Sequence, residues 1–358
     1  MRKEVILKYG IYLTAIVFSI IFVVTKNEAL MDAATDGMYR DGDVYRFTKV
    51  KRFKAALPPT ECEEGAVPDI DPDSVSLFVI GDSFMETCRG HKTFPAMLEE
   101  QLHTGVYPVF ANESPKYFDP NYFFWKNNID PDKKKTVILE RVERYVIFSY
   151  SNARSEDTAT FGQLAMEDER STWEIAKERW FTEAEKNYEI FFSSSDYVAP
   201  IVELWNTFCF DVFGMISDET PIYSLHPPFL FYKEEVSPEM SSSFYFPHPD
   251  SLVKTIADNI SALKETLRVR YNAELIFMPI PNAYTLYHSF INTDRYDGFV
   301  PRLCTQLEQR GVRTVQLYSS FTNSKDVLYF PTDSHWNAKG TELGVKQTLE
   351  VLAQVHSQ

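Results

Sequence analysis

The sequence predicts a three-layer α/β domain in which a parallel sheet is flanked by helices. From about residue 74 onwards, apolar runs of strand length alternate with amphipathic stretches of helical length, which is typical of repeated β-α units. The connection near residue 310 supports this, because Gly311 ends a helical stretch and an apolar run follows at once. The predicted domain extends to about residue 355.

Four strands and four helices follow from this alternation. The first strand is the apolar run at residues 75–80, and similar runs lie at residues 136–142, 274–279 and 312–317. Apolar residues recur at helical spacing in the segments between and after these runs. The predicted helices cover residues 94–103, 250–270, 298–310 and 339–354.

Residues 155–245 interrupt the alternation and are predicted to form an insertion. They are rich in aromatic side chains, including Trp173 and Trp205. Aromatic residues at helical spacing usually pack in a core, but they can also form a wall on which a sugar ring stacks. The sequence leaves both interpretations open.

Composition limits the classes of function. The chain has 358 residues, of which 44% are hydrophobic, and this is enough for a substantial core. Its 36 basic and 51 acidic residues give a net charge of -15, so nucleic acid is not an expected partner. The sequence contains no Gly-rich nucleotide-binding motif and no metal-ligand spacing such as C-x-x-C, so neither a cofactor nor a metal is expected.

The N-terminal segment predicts a transmembrane signal anchor at residues 1–26. Residues 9–25 carry no charge, basic residues precede them and acidic residues follow, which places the N-terminus in the cytoplasm and the rest outside. A polar juxtamembrane arm would then cover residues 27–73. A cleaved signal peptide and a buried helix are the alternatives. The expected localisation is the cytoplasmic membrane, with the α/β domain of residues 74–355 periplasmic or extracellular.

The four cysteines suit an exported protein but are too few and too scattered for a disulfide scaffold. Cys62 precedes the first strand, and Cys88 follows Ser83 by five residues. These two are candidates for a disulfide, although their spacing alone leaves the pairing open.

Ser83 is a candidate nucleophile. The triplet Gly81-Asp82-Ser83 ends the first predicted strand, where open α/β sheets bind their ligands. Asp and Ser are also common in turns and helix caps, so the triplet alone fits a structural turn equally well. Asp82 is expected to shape the loop rather than to react.

Asp333 and His335 are the candidate partners of Ser83. They lie in a loop before the last predicted helix, and no other histidine has an acid two residues away in such a loop. A serine hydroxyl becomes a good nucleophile when an imidazole takes its proton, and the imidazole needs an acid to orient it. The alternative is that Asp333 caps a helix and His335 is structural. This alternative becomes weaker when Ser83 is considered together with them.

The sequences GDSF at residues 81–84 and TDSHWN at residues 332–337 resemble the end blocks of the SGNH, or GDSL-like, superfamily. The D-x-H-W form of the second block resembles the membrane-linked O-acetyltransferase branch, which includes the alginate O-acetylation proteins. Ordinary SGNH esterases usually have two residues between Asp and His, whereas this chain has one. The similarity extends over residues 40–355 but covers the insertion poorly. It includes the segments 42–54, 136–146, 274–287 and 311–321.

This resemblance implies an SGNH-like (flavodoxin-like) sheet and a serine acyl-enzyme, with Ser83 as nucleophile, His335 as general base and Asp333 as its orienting acid. It further implies an O-acyltransferase that acetylates hydroxyls of a cell-surface or exported polysaccharide, and a membrane-bound partner that supplies the acyl group. A carbohydrate acetylesterase with the same three residues and a non-catalytic glycan-binding assembly subunit are the alternatives. The predicted anchor and the D-x-H-W block favour acyl transfer.

The sequence defines the rest of the site less well. The Ser83 N–H is the first expected oxyanion donor, while the family's Gly and Asn donors have no clear counterparts. Asn152 is a candidate for the missing donor. Arg144 and Tyr284 are candidates for lining the substrate pocket, and the alternatives are a structural ion pair at Arg144 and simple packing of Tyr284.

Overall fold

The fold is taken from a computed structural model, and most of the predicted insertion, including Trp173, lies outside the part of the chain that it describes. The described residues are 2–26, 30–31, 35, 40–59, 62, 71–111, 115–152, 188, 191, 195, 198–240, 243–244, 247–291 and 296–356.

The chain forms two compact units. The larger comprises Asp41–Thr48, Phe53–Ala165 and Ser217–Gln358, and the smaller comprises Met1–Arg40, Lys49–Arg52 and Met166–Ile216. The sheet and the candidate residues Ser83, Asp333 and His335 belong to the larger unit.

In the described part of the larger unit, the strands are β1 (Leu77–Gly81), β2 (Val106–Phe110), β3 (Lys135–Val142), β4 (Ile222–Leu225), β5 (Pro228–Phe231), β6 (Ala273–Ile280) and β7 (Arg313–Thr314). Five of them form a parallel sheet with the order β2-β1-β3-β6-β7, and β4 pairs with β5 as an antiparallel hairpin. Every residue of β1 is buried, as expected for a central strand covered on both faces. The predicted mixed α/β fold with a parallel sheet is confirmed.

Three of the four predicted strands are confirmed as β1, β3 and β6. The predicted strand at residues 312–317 is wrong over most of its length, because β7 has only two residues and a helix begins at Leu317. β2 was not predicted from the sequence. Pro108 lies in its middle, and proline is tolerated there because β2 is an edge strand.

Helices cover both faces of the sheet. Among the described residues, the helices in chain order are α1 (Arg2–Val24), α2 (Tyr45–Thr48), α3 (Ser83–Glu86), α4 (Phe94–Leu102), α5 (Pro120–Lys126), α6 (Glu143–Tyr150), α7 (Ala199–Phe213), α8 (Lys233–Val236), α9 (Asp250–Tyr271), α10 (Ala283–Tyr287), α11 (Phe299–Gln309), α12 (Leu317–Thr322) and α13 (Ala338–His356). α13 packs with α4 and α12, while α9 packs with α5, α6, α11 and β6. The four predicted helices correspond to α4, α9, α11 and α13, with ends within two residues of those expected.

The membrane-spanning helix expected at residues 1–26 is not found in the described part of the chain. α1 (Arg2–Val24) covers most of that segment. Among the described residues, no helix combines the length and the apolarity that crossing a membrane requires.

The described part of residues 155–245 contains α7 in the smaller unit, and the β4–β5 hairpin and α8 in the larger one. Trp205 lies on α7 and is 63% exposed, so the core interpretation of the aromatic residues does not hold for this side chain.

Candidate active site

Ser83 lies at the carboxyl end of β1. The Asp82 carboxylate accepts a hydrogen bond from the Phe84 N–H (3.1 Å), which caps α3 and makes Ser83 its first residue. Position 81 requires glycine, because a Cβ there would collide with Met85 and lie 2.5 Å from Glu140 Oε2. The strand end and the cap together fix the backbone that carries the Ser83 hydroxyl.

Ser83, His335 and Asp333 form a continuous chain of hydrogen bonds. Ser83 Oγ lies 2.8 Å from His335 Nε2, and His335 Nδ1 lies 2.6 Å from Asp333 Oδ1. The His335 backbone N–H also donates to Asp333 Oδ1 (3.0 Å). A neutral imidazole has one N–H, so donation from Nδ1 to Asp333 leaves Nε2 free to accept the serine proton.

Asp333 is only 3% exposed and has two further donors on Oδ2. Arg89 Nη2 donates at 2.5 Å, and the Asp43 backbone N–H donates at 3.1 Å. Burial would raise the pKa of Asp333, but the charge and hydrogen bonds of His335, together with Arg89, outweigh burial and hold this pKa well below its usual range. Asp333 is therefore an anion throughout the pH range in which an imidazole titrates.

His335 lies against an aromatic wall. Its ring centre is 4.9 Å from that of Phe84, and the ring centres of Phe84 and Trp336 are 5.6 Å apart. Burial lowers the pKa of His335, but the negative charges of Asp333 and Asp43 more than offset burial, so the pKa is raised. The cluster thus favours the protonated imidazole, which is the form that exists after a serine proton has been taken.

Residues 42–45, which are far away in the sequence, pack against the loop that carries Asp333 and His335. Asp43 accepts hydrogen bonds from the Ser334 backbone N–H (2.7 Å) and from the Ser334 hydroxyl (2.5 Å). Gly42 has a φ of +106° and approaches Thr332 so closely that a Cβ would collide with the Thr332 carbonyl group. From the sequence, residues 42–54 are only a segment similar to the family. Asp43 could not be predicted as part of the site, because its contact spans 291 residues.

No local pattern in the sequence pointed to Arg89 either. The residue follows Cys88, which forms a disulfide with Cys62 across a Cα–Cα distance of 5.4 Å. The disulfide is the pairing that the sequence left open. Arg89 has a positive φ of 40°, and its side chain is 3% exposed, so the segment after α3 delivers a buried cation to Asp333.

A cleft of about 220 Å³ opens beside Ser83 and His335. Its lining combines charged groups with aromatic rings, which can hold a polyhydroxylated ligand by hydrogen bonds and stacking. Besides Ser83 and His335, the lining includes Asp43, Arg46, Phe47, Asp82, Arg141, Arg144, Tyr145 and Tyr232.

Arg141 contributes one guanidinium group to this lining. Nη1 donates to Asp82 Oδ2 (3.3 Å), and the guanidinium lies 3.6 Å from the centre of the Phe118 ring. The backbone N–H of the same Asp82 donates to Glu140 Oε2 (2.8 Å). Burial and the neighbouring Asp82 charge raise the pKa of Glu140 well above its usual value. Asp82 therefore shapes the loop, as expected.

Arg144 both lines the cleft and forms a structural ion pair. Nη1 donates to Glu235 Oε1 (3.2 Å), and Nε lies 3.6 Å from Glu234 Oε2. Burial raises the pKa of Glu235 to about 7, although the Arg144 charge acts in the opposite direction. The Arg144 head group is thereby held rigidly at the edge of the cleft.

Two other residues that the sequence suggested do not line the cleft described here. Asn152 is exposed, and its backbone carbonyl accepts a hydrogen bond from Asn259 (3.0 Å). Tyr284 is 2% exposed, and its N–H donates to Glu235 Oε2 (3.0 Å). Tyr284 therefore supports the partner of Arg144, whereas Asn152 is placed elsewhere.

Asp43, Asp333 and His335 have carboxylate oxygens and an imidazole nitrogen within 4.8 Å of one another. A metal on His335 Nδ1 would displace the hydrogen bond to Asp333, and the Arg89 guanidinium already neutralises that carboxylate. These residues do not fit a resident cation.

Comparison with known proteins gives one family match. Residues 228–358 match the model described as SGNH hydrolase-like domain, acetyltransferase AlgX. This match contains Asp333 and His335, while Ser83 precedes it. The resemblance to the SGNH-like alginate O-acetylation proteins is confirmed over these residues. Searches of curated proteins and of solved structures give no match.

Proposed function

We propose that this chain is a serine O-acyltransferase that acetylates hydroxyl groups of a polysaccharide through an acyl-enzyme on Ser83. The observation that carries the proposal is the unbroken hydrogen-bond chain from Ser83 through His335 to Asp333. The match of residues 228–358 to an acetyltransferase domain supports acetyl as the transferred group. The choice of a polysaccharide hydroxyl as acceptor follows from the resemblance to the alginate O-acetylation proteins.

The first half of the reaction transfers acetyl to the enzyme. Ser83 Oγ attacks the carbonyl carbon of an acetyl ester while His335 Nε2 takes the hydroxyl proton. When the tetrahedral intermediate collapses, the bond from acetyl to the donor oxygen breaks, and His335 returns its proton to that oxygen. The Ser83 N–H, at the start of α3, is the first donor for the developing oxyanion.

The second half repeats the same steps with a sugar hydroxyl in place of serine. His335 takes the proton of the acceptor hydroxyl, whose oxygen attacks the acetyl carbon. The bond to Ser83 Oγ then breaks, and His335 gives the proton to that oxygen, which restores the free serine. Water in place of the sugar would give an esterase. The charged and aromatic lining, with Arg141, Arg144 and Tyr145, supports an ordered sugar acceptor over free water.

The proposed site of action is outside the cytoplasm. The Cys62–Cys88 disulfide supports this, because disulfides persist in oxidising compartments. Small acetyl donors such as acetyl-CoA are cytoplasmic, so we further propose a membrane-bound partner that hands over the acetyl group. An alkaline phosphatase fusion after residue 60 should be active if this segment is exported, and a stable but inactive fusion would contradict export.

The test of the reaction uses the purified full chain, an acetyl ester as donor and a panel of glycans as acceptors. Mass spectrometry should detect acetyl on the glycan and, transiently, on Ser83. Ser83→Ala, His335→Ala and the double variant should each lose roughly 10³-fold or more, because residues that act as a unit give non-additive losses. If Ser83 only removes acetyl from acetylated glycans, the enzyme is an esterase. If Ser83→Ala keeps its turnover, the chain is not a serine enzyme.

A further inference from the structure

His335 Nδ1 faces two carboxylates. Asp333 Oδ1 is the closer at 2.6 Å, and Asp43 Oδ2 lies 3.7 Å away. The second distance is too long for a hydrogen bond, but charge interactions decay slowly with distance in a partly buried site. Asp43 can therefore influence the protonation of His335 without contacting it.

Asp43 also holds the turn that carries the base. Its backbone N–H donates to Asp333, and its two carboxylate oxygens accept the backbone N–H and the hydroxyl of Ser334. Asp43 thus contacts the first two residues of the Asp333-Ser334-His335 turn and lies close to the third. Val44 and Tyr45 fasten the same segment, since both backbone N–H groups donate to the carbonyl of the preceding Thr332.

Several charged groups besides Asp43 influence the pKa of His335. On its own loop His335 faces Asp333, from the segment at residues 41–44 it faces Asp43, and from α6 the cation Arg144 acts against protonation. From α3 it meets only Ser83 and the Phe84 ring. Arg89 approaches from residues 87–90 but pairs with Asp333 Oδ2, on the side away from the imidazole contact. Asp333 is the larger source of negative charge at the imidazole, and Asp43 is a second carboxylate beside it. Burial and the Asp333 charge raise the pKa of Asp43 itself.

We propose that Asp43 is a positioning residue of the general base, which holds the Asp333-Ser334-His335 turn through Ser334 and stabilises the imidazolium that forms when His335 takes a proton. This inference rests on the proposed serine mechanism. Asp43 does not touch the reacting atoms and acts through its neighbours.

Two variants separate the charge of Asp43 from its hydrogen bonds. Asp43→Asn removes the charge but keeps an amide oxygen for the Ser334 N–H, whereas Ser334→Ala removes the hydroxyl and keeps the charge. Asp43 raises the pKa of His335, and His335 must be neutral to act as base. Asp43→Asn should therefore move the acidic limb of the kcat/KM profile to lower pH, by about 0.5 to 1 unit, and lower the plateau about tenfold.

Ser334→Ala should leave the acidic limb where it is and lower the plateau by less than about threefold. Asp43→Glu, which retains the charge, should recover the wild-type limb. An acidic limb that stays at the same pH in Asp43→Asn would overturn the charge role and leave Asp43 as an ordinary structural residue. Should Asp43→Asn not fold, the same comparison is made between Asp43→Glu and Asp43→Gln.

A titration that needs no turnover makes the result independent of the proposed reaction. In full-length protein with ¹⁵N-labelled histidine, the His335 signals are assigned by their loss in His335→Ala and followed with pH. The pKa of His335 should be lower in Asp43→Asn than in wild type. An unchanged pKa refutes the inference even if the acetyl transfer is confirmed. A lowered pKa with no Ser83-dependent turnover would instead refute the reaction alone.

Discussion

Arg89 and Asp333 form an ion pair of 2.5 Å across 244 residues, and both side chains are almost fully buried. The pair connects the segment that follows the nucleophile with the acid that orients the base. Arg89 also follows Cys88 directly, so one short segment joins a disulfide, a cation and the candidate catalytic carboxylate.

Arg89→Met should destabilise the protein by about 3 to 5 kcal/mol, because it leaves Asp333 buried without its cation. The variant should also raise the pKa of Asp333, since the Arg89 charge is one of the groups that lower it. Urea denaturation at pH 7 measures the loss. The matched control is Arg268→Met, whose ion pair with Glu265 is mostly exposed and should contribute little to stability, because solvent screens it. Equal losses in the two variants would contradict the importance of the buried pair.

Removing the disulfide should lower the free energy of unfolding by about 3.5 kcal/mol. Cys62 and Cys88 are 26 residues apart, and this value follows from the entropy of closing such a loop in the unfolded chain. The comparison is between Cys62→Ser and wild type, each with and without reductant. Cys209→Ser provides the control, because Cys209 is a free, half-buried thiol. Reductant should weaken only the wild type and the Cys209 variant, and a reductant effect on Cys62→Ser would count against the assignment.

Glu143 should make the protein less stable as the pH rises from about 4.5 to about 8. Burial raises the pKa of this carboxyl group to about 8, and the hydrogen bonds from Thr285, Asn282 and Tyr296 only partly oppose it. Between the unfolded and folded pKa values the native state holds a proton that the unfolded state has lost. Stability therefore falls with a slope of roughly 1.4 kcal/mol per pH unit in this window.

Glu143→Gln is the test of that slope. The glutamine amide resembles the protonated carboxyl group, so its oxygen can accept from Thr285 and Asn282 and its NH₂ can donate to Tyr296. The variant should lose this part of the pH dependence. Its free energy of unfolding should therefore increase relative to that of wild type as the pH rises from 5 to 8. Parallel stability curves for the two proteins would show that Glu143 ionises normally.

Gly42→Ala should cost much more than Gly214→Ala. Both positions have a positive φ, but a Cβ at Gly42 would collide with Thr332, whereas nothing lies within 4 Å of a Cβ at Gly214. Gly214→Ala should cost about 1 kcal/mol of backbone strain. Gly42→Ala should exceed about 3 kcal/mol or displace the segment that carries Asp43. Thermal melts give the stabilities, and a similar loss at both positions would argue against the close approach to Thr332.

Local patterns in the sequence were sufficient for most of the fold. The central strands β1, β3 and β6 contain apolar runs because they are covered on both faces, and α4, α9, α11 and α13 follow the helical repeat. The edge strand β2 was not predicted, because Pro108 interrupts the apolar run by which the central strands were identified. β7 was overestimated, since Val315 and Leu317 are buried without continuing the strand.

The candidate site also has a part that the sequence predicts and a part that it does not. Ser83, Asp333 and His335 stand in short motifs whose spacing along the chain is informative, so the sequence alone determined these candidates, while their hydrogen bonds belong to the folded chain. Only the tertiary structure decided that Arg89 and Asp43 complete the surroundings of Asp333, and that Asn152 lies elsewhere. The physical reason is that ion pairs and close backbone approaches depend on positions in space across more than 200 residues, where no periodicity or local propensity carries the information.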